Sequence, residues 1–185
     1  MKTGKIKRMV GIAILIAIVV VLQLLGQFIH LGPVSITLVL LPIVVGAAFY
    51  GPSAGAILGL AFSVVVLLQP DTAFFYGMNV FGTVVTVIVK GTISGWLAGL
   101  TYRALAKKNS SLGVLLAAIV CPIVNTGLFF LGCLVFFAGP LAETGIENVV
   151  MHVITVFIGV NFIAEFLTNV LCCPVIARLL HTIRK

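Results

Sequence analysis

The sequence predicts an all-α polytopic membrane protein with six transmembrane helices and both termini in the cytoplasm. Of its 185 residues, 62% are hydrophobic and only 8% are charged, and apolar runs recur along the whole chain. A soluble domain of this size needs a charged surface, which 15 charged side chains cannot cover. The composition therefore excludes a soluble enzyme and a nucleic-acid-binding domain, and residues 1–185 are predicted to form a single membrane domain.

Short breaks of Gly, Pro and polar residues separate the candidate membrane spans. A helix needs roughly 20 apolar residues to cross the hydrocarbon core of a bilayer. The predicted spans cover residues 9–29, 34–50, 52–69, 78–105, 111–138 and 148–180. The segment around Gln69 to Asn79 is predicted to be a loop on the outer side.

The basic residues predict the orientation, because Lys and Arg are retained on the cytoplasmic side during insertion. Ten of the eleven fall on one side of the predicted topology, in the two terminal segments and around the loop after the fourth span. The opposite loops carry no Lys or Arg and hold Asp71, Glu143 and Glu147. The net charge of +7 therefore describes membrane topology rather than affinity for nucleic acid.

Two ionisable residues, Lys90 and Glu165, are predicted at membrane depth. Each is 13 residues from a basic residue at the cytoplasmic boundary, Arg103 or Arg178, which places both roughly 20 Å toward the outer side. Such charges are costly unless they are paired or face water, so both are expected to face the bundle interior. Two interpretations stay open: an ion pair that only fixes helix packing, or part of a binding site.

Uncharged polar residues share helix faces with these two charges. In the fourth span they recur at spacings of four, three and four, and in the sixth span at spacings of four. Buried amides either join helices to one another or contact a substrate. The residues predicted to line a polar pocket open to the outer side are Asn79, Thr83, Thr86, Lys90, Asn125, Asn161 and Glu165.

Small residues form a second pattern that predicts close approach of helix backbones. They repeat every four positions in the third span, the fourth span and the first span: Gly51, Gly55 and Gly59; Gly91, Gly95 and Gly99; Ala13 and Ala17. The glycines are expected to serve internal packing. The two alanines of the first span are expected to meet an external partner helix.

No catalytic or metal-binding residues are predicted. Gly51 to Gly55 match G-x-S-x-G, but that motif works as a strand-to-helix elbow near a histidine and an acid, whereas here it opens a membrane helix. The four cysteines lie in apolar runs without metal-ligand spacing. The phosphate-binding pattern GxxxxGK[ST] is absent, so the chain is predicted to use no cofactor and to have no energy source of its own.

Over nearly its whole length the sequence resembles the substrate-binding S components of energy-coupling factor (ECF) vitamin transporters. The resemblance rests on six predicted helices in 185 residues, the Ala13-x-x-x-Ala17 step, and the run from Leu41 to Ala56 with its Phe/Tyr-Gly-Pro turn. It implies capture of a water-soluble vitamin or its precursor on the outer side of the cell membrane. It also implies two kinds of partner, a membrane scaffold (T) subunit and two cytoplasmic ATPases, which would use ATP to topple the S component and deliver the vitamin.

The resemblance also assigns roles to residues. Ala13 and Ala17 would dock on the scaffold subunit, and an apolar lid over the pocket would consist of Phe74, Phe75 and Tyr76. The sequence looks most like the pantothenate branch of the family, with riboflavin, pyridoxine and other vitamins still open. Lys90 would bind the carboxylate of pantothenate, while Glu165 and the asparagines would receive its hydroxyl and amide groups.

Two other functions stay open at this stage. The first is a self-sufficient, ion-coupled secondary transporter of a small organic solute, with Lys90 and Glu165 as a proton relay. The second is a purely structural membrane subunit, which the polar faces inside the predicted bundle disfavour.

Overall fold

A computed structural model describes residues 2–26, 39–143 and 148–183, and throughout these ranges the chain is helical with short turns. In order, the helices are α1 (Lys2–Gly26), α2 (Leu40–Tyr50), α3 (Pro52–Leu67), α4 (Asp71–Met78), α5 (Val80–Leu105), α6 (Ser110–Gly132), α7 (Ala138–Glu143), α8 (Val149–His152) and α9 (Gly159–Ile183). Two π-helical segments, Cys133–Phe137 and Val153–Ile158, connect α6 to α7 and α8 to α9 without a break. The predicted all-α class is confirmed.

Three of the described helical stretches are long and apolar enough to cross a membrane: Gly4–Gly26, Val80–Leu105 and Ser110–Glu143. α3 and α4 pass the same test together, although the chain bends by 81° between them. α2 is apolar but shorter. These helices are those of a polytopic membrane protein, whereas the number of six spans and the cytoplasmic termini stay predictions.

The structure corrects the loop predicted between Gln69 and Asn79, because α4 occupies most of it. Pro70 stands at the N-cap, where its missing N–H costs no helix hydrogen bond, and Asp71 places a carboxylate in the first turn. The Thr72 hydroxyl donates to the Val66 carbonyl at 2.6 Å, which ties α4 back to the end of α3. The helix of the third span, α3, ends at Leu67, whereas the predicted span ended at residue 69.

Other helix ends differ from the predicted ones by a few residues. α1 begins within the basic segment, at Lys2 rather than residue 9, because Lys and Arg are good helix formers. The run that begins with α6 continues through the π-helical segment to Glu143, beyond the predicted end at residue 138. The start of the predicted second span lies outside the described residues.

α2 lies at the centre of the hydrophobic core. Leu40, Ile43 and Val44 have no exposed surface, and the helix touches α1, α3, α5, α6 and α9. A helix that is apolar on all sides is stable only when other helices surround it. This arrangement brings the longer helices together around α2.

α3 and α5 pack backbone to backbone along a glycine seam. At three points the neighbouring backbone leaves no space for a side chain: Gly55 at Gly95, Gly59 at Gly91, and Gly99 at Pro52. The Ser63 hydroxyl continues the same register and donates to the Val87 carbonyl at 2.7 Å. The predicted internal packing is confirmed for Gly55 and Gly59 and for the α5 series, and it fixes the position of α5. For Gly51 it is wrong, because nothing lies within 4 Å of a side chain added there.

The turn between α2 and α3 lies at the end of the bundle that carries basic residues. Gly51 has a φ of +91°, which residues with a side chain rarely adopt. Arg8 donates from Nη2 to the Tyr50 carbonyl at 2.9 Å and to Ser53 Oγ at 3.0 Å. Arg103 lies at this same end, so Arg8 of α1 and Arg103 of α5 lie on the same side of the bundle, as the predicted topology requires.

Candidate functional site

Lys90 lies in the middle of α5 with its ammonium group among aromatic rings inside the bundle. Its Nζ atom is 4.6 Å from the ring centroid of Phe129 in α6 and 6.0 Å from that of Phe62 in α3. A cation is attracted to the electron-rich faces of aromatic rings, and the attraction grows where water is excluded. Lys90 therefore points into the bundle, as predicted.

Glu165 interacts with Lys90 electrostatically from α9. The Glu165 side chain is only 6% exposed, so its charge lies in a low-dielectric environment where an opposite charge counts for more than in water. Two buried thiols, Cys133 and Cys121, belong to the same part of the bundle. The structure thus brings together the two charges that the sequence singled out, from α5 and α9.

Three buried side chains, on the helices that carry Lys90, Phe129 and Glu165, hold oxygen atoms that have no hydrogen-bond partner among the described residues. They are Thr86 Oγ1, Asn125 Oδ1 and Asn169 Oδ1. Each lies one helical turn from a residue already described: Thr86 from Lys90, Asn125 from Phe129, and Asn169 from Glu165. A buried polar atom without a partner costs about 1–3 kcal/mol. Such atoms are those that a bound ligand or water would satisfy.

Asn79 and Thr83 lie at the start of α5, at the end opposite Arg103. The Asn79 side chain accepts a hydrogen bond of 2.8 Å from the Gly82 N–H and caps the helix. The Thr83 hydroxyl donates to the Asn79 carbonyl at 2.7 Å. Both residues thus stabilise the beginning of α5, and a contact with a ligand stays a prediction.

Asn161, the remaining amide of the predicted pocket, belongs to α9. Its side chain lies outside the part of the chain that the structure describes. Its contribution to the pocket stays a prediction.

α4 carries the aromatic residues that were predicted to form a lid. Phe75 is buried, with its ring centroid 5.6 Å from that of Phe129 and 5.3 Å from that of Phe137. The half-buried Tyr76 donates its hydroxyl to the Leu67 carbonyl at 2.9 Å, whereas Phe74 is 53% exposed. Of the three residues, Phe75 reaches the ring that lies against Lys90.

The sequence of this chain matches a known protein family. The model of the family "ECF transporter, substrate-specific component" matches residues 7–179. The chain belongs to this family. As an ECF substrate-specific component, it is part of a transporter and not an enzyme. The resemblance inferred from the sequence is thereby confirmed.

One relative of this ECF component has an assigned substrate. The chain is 30% identical, over 158 residues, to the pantothenic acid transporter PanT of Lactococcus lactis subsp. cremoris (strain MG1363). The similarity covers 76% of this chain and 79% of that protein. No solved structure gives a significant match to the chain.

The small residues of α1 lie on the surface of this ECF component. Ala13 and Ala17 are exposed one turn apart, and their neighbours Ile14 and Ile18 are 57% and 41% exposed. Two alanines between larger apolar side chains form a shallow step that a second helix backbone can approach. The docking role itself stays a prediction.

Two residues of the ECF component's interior were missed by the sequence analysis, Phe62 and Phe129. Phe129 follows Asn125 by one helical turn, a spacing that places both on one face of α6. The π-helical segment Cys133–Phe137, which brings Cys133 near Lys90, was also missed. Such segments occur frequently at functional sites, but the sequence contains no pattern that predicts one.

Proposed function

We propose that this ECF substrate-specific component captures pantothenate on the outer side of the cell membrane for ATP-driven uptake by a partner complex. The supporting observation is the ammonium of Lys90, held against Phe129, together with buried oxygens on the same helices that have no hydrogen-bond partner among the described residues. Pantothenate has a carboxylate for Lys90, and hydroxyl and amide donors for the Asn125 and Asn169 oxygens. The 30% identity to PanT supports the same substrate.

In this proposal Glu165 interacts with Lys90 whether or not a ligand is bound. An ammonium group has three donors, so Lys90 can keep its interaction with Glu165 while it donates to a ligand carboxylate. The carboxylate of Glu165 offsets part of the cost of burying the Lys90 charge. The interaction with Glu165 thus makes the buried ammonium less costly and still leaves a donor for a ligand.

The proposal is tested with two ligands that differ in one group. Panthenol carries an alcohol in place of the pantothenate carboxylate and otherwise keeps its hydroxyls and amide. We expect the purified protein to bind pantothenate about 10- to 100-fold more tightly than panthenol in calorimetric titrations, because hydrogen bonds to charged groups are the stronger ones. In Lys90→Met this preference should disappear. Lys108→Met, which changes an exposed lysine at the basic end, is the matched control.

Two results would contradict this assignment. If Lys90→Met weakens both ligands equally, Lys90 supports the fold and does not contact the carboxylate. If the protein binds riboflavin or pyridoxine but not pantothenate, the substrate is wrong while the role in vitamin capture stands.

The proposed uptake requires a membrane scaffold subunit and two ATPases, with docking through Ala13 and Ala17 of α1. The exposed step formed by these alanines supports this surface. Ala17→Trp should abolish co-purification with the scaffold and ATP-dependent uptake, while vitamin binding persists. Val64→Trp is the control, because it places the same bulk at a 48% exposed position on α3. Equal losses in both variants would refute the docking surface.

The charge pair also favours a second candidate function, ion-coupled transport by this chain alone. Ionisable residues within membrane helices frequently serve proton relays. Vesicles containing only the purified chain decide between the two functions. Gradient-driven uptake would support the secondary transporter, whereas binding without uptake would support the ECF component that depends on its partners.

A further inference from the structure

The basic end of the bundle contains a cavity, which the proposed vitamin capture does not use. Its volume is about 700 Å³. Small and aromatic residues of α2 and α5, among them Tyr50 and Tyr102, form its walls. The same cavity is lined by cations from three places in the chain: Arg8 in α1, Arg103 in the last turn of α5, and Lys107 just beyond it.

Arg8 is held at the rim of this cavity by hydrogen bonds to neutral groups. Its Nη2 atom donates to the Tyr50 carbonyl at 2.9 Å and to Ser53 Oγ at 3.0 Å. The Tyr50 hydroxyl packs against Gly11, one turn further along α1, so the same turn is fixed to α1 at two points. These bonds orient the guanidinium and occupy only one of its nitrogen atoms. The others can bind an anion.

The described residues that line the cavity include three cations and no acidic residue that would balance their charge. The described acids of the chain are Asp71 in α4, Glu143 at the end of α7 and Glu165 within α9. Membrane topology requires basic residues on the cytoplasmic side, but it does not require that they converge on one concavity.

We infer that this cavity binds the phosphate headgroup of an anionic phospholipid. Arg and Lys together match phosphate, the former by paired hydrogen bonds and the latter as a point charge. The cavity lies at the helix ends, where headgroups lie, and basic pockets between helices on this side of a membrane bind such lipids. Beside Arg8, Met9 and Val10 are 71% and 53% exposed and offer apolar surface to acyl chains, which a soluble phosphate ester would not use.

The test compares two triple variants of the full chain with the same loss of charge. Arg8→Gln/Arg103→Gln/Lys107→Gln removes the cavity cations, and Lys5→Gln/Lys7→Gln/Lys108→Gln removes exposed cations outside the lining. Native mass spectrometry in neutral detergent measures binding of dioleoyl phosphatidylglycerol and dioleoyl phosphatidylcholine. We expect the unmodified protein to prefer phosphatidylglycerol by at least about tenfold. The cavity variant should lose this preference and the control should keep it.

Each other outcome overturns the inference. Equal loss in both triple variants would indicate general attraction to a basic surface, and no preference in the unmodified protein would exclude the site. Displacement of phosphatidylglycerol by millimolar inorganic phosphate would assign the cavity to a free anion. Lys107→Gln alone, at an exposed position, gives a folded variant in which a roughly fivefold loss is expected. Unchanged binding in that variant counts against the site.

Discussion

Phe75 and Phe129 contact each other edge to face, with ring centroids 5.6 Å apart and ring planes at 80°. The same Phe129 ring lies 4.6 Å from the Lys90 ammonium. A single aromatic side chain therefore connects α4 with the charge inside the bundle. Phe75 is buried beside the Phe129 ring. We therefore expect a ligand that reaches Lys90 from the α4 end of the bundle to displace the Phe75 side chain.

The first prediction concerns the rate at which a bound vitamin leaves. Phe75→Leu removes the edge-to-face contacts but keeps an apolar side chain, so release of labelled pantothenate should accelerate about three- to tenfold. Phe74→Leu is the matched control: the Phe74 ring contacts Phe75 edge to face, with centroids 5.4 Å apart, but it is itself 53% exposed. Its loss should leave the Phe75–Phe129 contact in place and should not affect release. A chase with unlabelled ligand measures both rates. Equal acceleration in the two variants would show that α4 as a whole, rather than Phe75, retains the ligand.

The second prediction concerns the charge pair. Lys90→Met or Glu165→Gln leaves the other charge in the bundle without its compensating partner, so each change should lower the free energy of unfolding. The double variant should be more stable than the sum of the single effects indicates, by at least about 1 kcal/mol. Unfolding in detergent without vitamin measures the cycle. Additive effects would mean that the two charges do not stabilise each other.

The positions of Lys90 and Glu165 could be predicted because charges within apolar runs are rare and costly. The sequence does not indicate which aromatic side chains would surround them. Phenylalanine is common on lipid-facing and on interior faces alike. The sequence therefore does not indicate whether the side chain of Phe62 or of Phe129 faces lipid or the interior of the bundle. The inward face of α6 is set by tertiary packing, in which Gly132 leaves room for Thr86.

The helical course of α4 could not be predicted from periodicity, since eight residues are too few to show it. Pro70 followed by Asp71 was the available signal, and it was interpreted only as a break. The glycine seam, by contrast, was predictable, because a four-residue repeat of glycine in two spans has few explanations other than close backbone contact.

The third prediction concerns that seam. A Cβ atom at Gly59 would meet the Gly91 carbonyl, which belongs to a helix backbone and cannot move aside easily. Gly59→Ala should therefore lower the free energy of unfolding by about 1–3 kcal/mol. Gly127→Ala is the control, because nothing lies within 4 Å of the added atom and alanine favours the helix. If Gly59→Ala is as stable as the control, the seam is looser than the structure shows.

The last prediction concerns two buried glutamines that connect α1 to the end of α3. Gln23 Nε2 donates to Gln69 Oε1 at 2.8 Å, and Gln69 Nε2 donates to the Gln23 carbonyl at 3.0 Å. That carbonyl belongs to the last described turn of α1. Gln69 thus hydrogen-bonds both the side chain and the backbone of Gln23, whereas Gln23 Oε1 has no partner among the described residues.

The two glutamines should consequently differ in their effect on stability. Gln69→Leu removes both hydrogen bonds and should lower the free energy of unfolding by about 1–3 kcal/mol. Gln23→Leu keeps the bond to the backbone carbonyl and removes an unsatisfied oxygen, so its effect should be smaller. Thermal unfolding in detergent measures the difference, with Leu68→Ala at the 81% exposed neighbouring position as control. The reverse order would mean that the side-chain bond, and not the bond to the end of α1, stabilises this contact.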